Sequence, residues 1–148
     1  MEDRIERSVE LNAPIERVWR ALADPEQFGS WFRAKIETPF APGQPANGNI
    51  LYPGYEHIRW EVTIQRMDEP RLFSFTWHPF AIEPGIDYSG EEPTLVEFRL
   101  QPIEGGTRLT VSESGFSKLP AHRYADAFRS NSGGWDAQVD NIKAYVER

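Results

Sequence analysis

The chain has 148 residues, 16 basic and 23 acidic, for a net charge of −7, and no cysteine. That length suits one domain, 1–148, with a core of its own. The charge argues against a nucleic-acid footprint, and the missing thiols exclude disulfides, thiol catalysis and cysteine-bound metal. The opening MEDRIERSVEL lacks the apolar stretch of a signal peptide, and no run approaches the roughly 18 apolar residues of a membrane span. A cytoplasmic domain is the resulting expectation.

Ile5 to Leu11 alternates apolar and polar residues and predicts a half-buried strand. Asn12-Ala13-Pro14 stops it, with Asn12 placed to cap a helix and Pro14 to occupy its first turn. Ile15, Val18, Trp19 and Leu22 then fall at helical spacing, and Asp24-Pro25 separates this helix from a second carrying Phe28, Trp31 and Phe32. Residues 33–55 read as irregular, punctuated by prolines and glycines, with short strands at Ile36 and Ile50-Leu51.

Ile58, Trp60, Val62 and Ile64 form one face of the next strand; Phe73, Phe75 and Trp77 form that of another. Residues 79–93 make a loop longer than usual connections. Val96, Phe98 and Leu100, then Leu109 and Val111, are the inward series of two strands joined by a turn at Gly105-Gly106. Ala121, Ala125, Phe128, Ser132, Trp135, Val139, Ile142 and Val146 make a helical stripe, about 42 Å long if unbroken to the last residue. Gly133-Gly134 would weaken or bend that helix, and would let a ligand approach it. Helices covering one face of an antiparallel sheet make an α+β domain.

Five tryptophans, nine phenylalanines and five tyrosines are enough to fill a core or line an apolar pocket. The expected ligand-binding wall is Trp31, Trp60, Phe75, Trp77, Phe98, Phe128, Trp135 and Val139, with Phe32 and Phe40 at one end. Glu113 shares the inward parity of Leu109 and Val111. If the strand stays regular it faces the cavity as the one candidate acid–base catalyst. If the strand ends or bulges near Ser112, Glu113 lies in solvent, and this second arrangement is the expectation. His57, His78 and His122 lack a metal-binding spacing and read as surface residues. Ser114 and Ser117 have no nucleophile elbow around them. No metal site and no cofactor are expected.

The segment Asn12-Ala13-Pro14-Ile15-Glu16-Arg17-Val18-Trp19, with Ala23-Asp24-Pro25-Glu26 leading to Trp31, resembles the start of the START-like (SRPBCC) superfamily that includes polyketide cyclases. Gly115-Phe116 followed by Asn131 through Gly134-Trp135 resembles its Hsp90-ATPase-activator-homologue-like branch. The resemblance implies a helix-grip fold: a curved antiparallel sheet wrapped around a long C-terminal helix, with two short helices after the first strand. It also implies a cavity between helix and sheet that takes a small hydrophobic or aromatic molecule. The alternatives it leaves open are a cyclase or hydratase using acid–base chemistry, and a protein-interaction role such as chaperone ATPase activation. Exposed aromatics would also admit a homodimer.

Overall fold

A computed structural model describes all residues, 1–148. One seven-stranded sheet runs in the order β1-β7-β6-β5-β4-β3-β2, antiparallel at every pair. Its strands are β1 (Arg4–Leu11), β2 (Ala34–Ile36), β3 (Pro45–Ile50), β4 (Arg59–Asp68), β5 (Leu72–Trp77), β6 (Thr94–Ile103) and β7 (Gly106–Ser114). Two short helices, α1 (Ile15–Ala23) and α2 (Pro25–Phe32), follow β1, and the chain ends in α3 (Ala121–Val146). This is the helix-grip fold. No helix is long and apolar enough to cross a membrane.

Three local readings change. Asn12 does not cap α1. Its backbone N–H donates to Glu147 Oε2 at 2.8 Å, and Pro14 takes the N-cap position with no side-chain cap. Asp24, read as a stop, caps α2 by accepting from the Gln27 N–H at 3.2 Å. The turn between β6 and β7 centres on Glu104-Gly105, with Gly105 at φ 81, while Gly106 already pairs with Ile103.

The irregular stretch also holds more strand than its residues suggest. Pro45-Ala-Asn-Gly-Asn reads as irregular before the short strand expected at Ile50, yet the whole segment Pro45–Ile50 forms β3 between β2 and β4. Gly48 makes the approach feasible, since a Cβ there would lie 2.2 Å from the Lys35 carbonyl oxygen. In β4 the register shifts between Ile64 and Arg66, leaving Gln65 as an extra residue opposite β5. Such a bulge bends its strand and strengthens twist, which helps the sheet curl over its concave face.

That concave face is filled chiefly by rings. Phe28 of α2 is fully buried and lies 4.9–6.4 Å, centroid to centroid, from Trp31, Phe32, Phe40, Trp60, Phe73, Phe75 and Phe98. The centre of the grip is therefore plugged by α2. α3 is one uninterrupted helix through Gly133-Gly134. Its buried stripe passes through Ala127, Trp135, Gln138, Ile142 and Val146, whereas Ala121 and Ala125 are exposed.

The N-terminus is tied down by Asp3. Its carboxylate accepts from the Ser117 hydroxyl and N–H and from the Gly115 N–H. The Ser117 hydroxyl, then the two backbone donors, hold this carboxyl below its ordinary value of 3.8. A depressed folded value gives stability that is present above about pH 3.8 and lost as pH falls through the folded value. The wild type is therefore expected to lose slightly more stability than Asp3→Asn below pH 3.8. Thermal midpoints of both proteins across acid pH check this, and parallel curves would contradict it.

Candidate functional site

β7 remains regular to its last residue, since Ser114 still pairs with Arg4 and Leu95. Glu113 consequently faces inward and is fully buried, not in solvent as expected. It is the one carboxylate among the buried residues. Four side chains donate to it. Trp77 Nε1 at 2.7 Å and Thr94 Oγ1 at 2.5 Å reach Oε2; Asn131 Nδ2 at 2.9 Å and Trp135 Nε1 at 2.8 Å reach Oε1.

A carboxylate offers about four lone-pair sites, so this shell uses all of them. Hydrogen bonds to an ionised acceptor are about twice as strong as neutral ones. Glu113 thus joins the end of β5, the start of β6, β7 and α3 at one point. Thr94 and Asn131 were missed as its partners. The available signal was that indoles at Trp77 and Trp135, both read as inward, each need an acceptor.

The two indoles lie 6.0 Å apart; Trp77 borders two recesses and Trp135 the smaller of them. The larger, about 870 Å³, lies between the start of β4, the segment after β5 and the middle of α3. Phe32, Trp60, Trp77, Phe80, Ile82 and Ile86 give it an apolar wall. The smaller, about 300 Å³, is bounded by Tyr52, Gly134, Trp135, Ala137 and Gln138. Phe32, Trp77 and Asn131 wall both. A further groove of about 830 Å³ beside α2 and β2 is lined by Asp24, Glu26, Arg33, Lys35 and Glu37 among others and shares no wall residue with these two.

Gly134 borders the smaller recess, and a Cβ built on it would meet nothing within 4 Å. The protein's own packing therefore does not require glycine there. Alanine is favoured over glycine in a helix interior by about 1 kcal/mol. Gly134→Ala is expected to raise the unfolding free energy of the ligand-free protein by about that amount. Urea denaturation checks it; a loss of stability would show that the helix needs this glycine.

The segment 78–93 covers the larger recess and is pinned to α3 by Arg123. The guanidinium donates from Nε and Nη2 to Glu91, from Nη1 to the Phe80 carbonyl at 2.7 Å and from Nη2 to the Pro79 carbonyl at 2.7 Å. It also lies 4.5 Å from the Tyr88 ring centroid. Phe80 itself sits at φ 53, a left-handed conformation that costs a non-glycine residue roughly 1–2 kcal/mol. The Arg123 bond to its carbonyl helps hold it there.

Of the expected wall, the structure brings Trp60, Trp77 and Trp135 to the recesses. Trp31, Phe75 and Phe98 sit in the packed ring cluster, and the Trp31 indole donates to the Ala21 carbonyl at 2.7 Å. Phe128 packs on Phe116 and Tyr124, and Val139 lies half-buried on α3 against the core. Phe40 belongs to the ring cluster, while Phe32 reaches both recesses. His57 is exposed at the rim, His78 is a half-buried wall residue and His122 is exposed at the start of α3.

No curated protein matches the chain. Among solved structures, protein MLL2253 from Mesorhizobium loti is 21% identical, with a TM-score of 0.77, over 98% of this chain and 97% of that one. A protein from Arthrobacter aurescens is 22% identical, with a TM-score of 0.78, over 97% and 85%. DynU16, a protein of the dynemicin biosynthetic locus, is 20% identical with a TM-score of 0.76; the match takes in 99% of this chain but 48% of DynU16. At such identities the likeness is one of fold. The family described as Activator of Hsp90 ATPase homolog 1-like protein matches residues 12–147, nearly the whole sequence, and the chain belongs to that family.

Proposed function

We propose that this protein binds a small, largely apolar aromatic molecule in the double recess between the end of β5, segment 78–93 and α3. The observation that carries this reading is the pair of indoles fixed by a common acceptor, Trp77 walling both recesses, of about 870 and 300 Å³, and Trp135 the smaller. Sites for small molecules are typically about 300–1,000 Å³, with apolar and aromatic walls and few polar groups. The location of the DynU16 gene product in a biosynthetic locus is consistent with a small-molecule role for this fold. An acid–base role for Glu113 is not adopted, because each of its oxygens already accepts two hydrogen bonds.

Native mass spectrometry of gently purified protein, joined to thermal-shift screening against an aromatic library, tests the reading. A retained small molecule, or shifts of several degrees with related aromatic compounds, is the expected result. No adduct and no shift across a broad library would overturn it.

A further inference from the structure

The large apolar side chains left on the surface are Met1, Leu51, Tyr55 and Ile86. The last three sit on two connections, 51–58 between β3 and β4 and 78–93 between β5 and β6. Both connections border the larger recess, to which Tyr55 and Ile86 contribute one wall residue each. A scattered exposed leucine needs no explanation, whereas apolar residues gathered at one end and rimmed by polar ones mark a contact surface.

The backbone that carries these residues is tied. In 51–58 the Tyr55 N–H donates to the Tyr52 carbonyl at 2.9 Å, the Ile58 N–H to the Tyr55 carbonyl at 3.0 Å and the Gly54 N–H to Glu56 Oε1 at 2.7 Å. In 78–93 the Glu83 N–H donates to the Tyr88 hydroxyl at 3.2 Å, and the Glu91 N–H to the Tyr88 carbonyl at 3.0 Å. The Arg123 bonds to Pro79, Phe80 and Glu91 add to these. A surface ordered before contact loses less entropy when a partner docks on it.

Charge selects the partner. The two connections hold five of the 23 acidic residues and none of the 16 basic ones. Of Glu56, Glu83, Asp87, Glu91 and Glu92, only Glu91 is in an ion pair. Glu61 on the recess wall is also unpaired, and the one arginine there, Arg59, is engaged by Glu37 at 2.8 Å. An anionic lipid surface repels such a face. A symmetric contact between two copies would set these carboxylates against themselves. Positive side chains placed around an apolar one complement both features together.

We infer that connections 51–58 and 78–93 form a docking face for a basic segment of another protein. An apolar side chain of that segment packs on Tyr55 and Ile86, and its lysines or arginines face Glu56, Glu83, Asp87 and Glu92. The segment lies across the rim, outside the recess, so this inference does not rest on the binding of a small molecule.

Three short peptides test it by calorimetry and nitrogen-correlated NMR: an amphipathic one of leucine and lysine, its leucine–glutamate counterpart, and a polar one of lysine and serine. Only the first is expected to bind, more weakly as salt is raised, with amide shifts gathered in 51–58 and 78–93. Tyr55→Ser with Ile86→Ser should weaken it about tenfold. Those side chains are 54% and 57% exposed, so the fold should survive both changes. Glu83→Gln with Asp87→Asn should weaken it about threefold and flatten the salt dependence.

No binding of the leucine–lysine peptide, or shifts that fall elsewhere on the protein, would overturn the inference. So would equal binding of the lysine–serine peptide, which would reduce the effect to charge alone. Tighter association with phosphatidylcholine vesicles would make the face a lipid surface, and self-association lost in Tyr55→Ser with Ile86→Ser would make it a contact between copies; either would reject a basic partner. If the serine variant fails to fold, the wild-type shift map and Glu83→Gln with Asp87→Asn still decide. The small-molecule screen is scored on its own, so failure here leaves that reading standing.

Discussion

Glu113→Gln is expected to lower the unfolding free energy by about 3 kcal/mol. The amide keeps the size of the side chain, but one acceptor oxygen becomes a donor. The Thr94 hydroxyl can turn to accept from that new NH₂, while the Trp77 indole cannot accept at all. The amide therefore settles with its oxygen toward Asn131 and Trp135, and Trp77 loses its partner. Stranding a buried donor costs about 1–3 kcal/mol, and the lost charge adds to it. For a chain of this size the midpoint should fall by roughly 6–12 °C. Glu113→Leu strands all four donors and is expected to cost more, about 4–5 kcal/mol. Urea denaturation with near-ultraviolet dichroism of the indoles measures both. A loss below about 0.5 kcal/mol would mean that water serves these donors equally well.

Arg123→Met should have the second largest effect. It leaves the Glu91 carboxylate and the Pro79 and Phe80 carbonyls without their shared donor. The Arg123 and Glu91 side chains are only 10% and 16% exposed, so solvent compensates in part. Breaking one side of a buried pair costs about 3–5 kcal/mol, and with that solvent access about 2–4 kcal/mol is expected. The loss should be local. Hydrogen exchange and proteolysis should quicken across 79–93, while amides of β6 and β7 keep their protection. Unchanged protection of the loop would show that Arg123 does not hold it.

Much of the fold was legible because the strands alternate strictly. Trp60, Val62 and Ile64 face inward as their spacing requires, and so do Phe73, Phe75, Val96 and Phe98. Of β3 only its end at Ile50 was read as strand, because proline, asparagine and glycine have low strand propensity; pairing on both sides overrides it. The site was legible in kind rather than in detail. Parity alone pointed Glu113 inward, yet a buried carboxylate is unfavourable until its donors are known, so solvent was the simpler expectation. Those donors come from three other elements, β5, β6 and α3, up to 36 residues away, and no spacing rule joins them. The same holds for the wall. Trp31, Phe75, Phe98 and Trp60 carry equivalent inward signals and all four pack on Phe28, so parity does not tell that Trp60 alone among them also borders a recess.

The strand order has a consequence for how the chain is made. β1 lies at the sheet edge, and its sole strand partner is β7, with Ile5 opposite Glu113. A ribosome adding 5–20 residues each second needs roughly 5–20 s to pass from one to the other. During that interval the first strand is outside the tunnel with an apolar face and no ladder to join. Its alternating Glu6, Ser8 and Glu10 are then what keep the nascent segment from pairing with a neighbour on the same messenger.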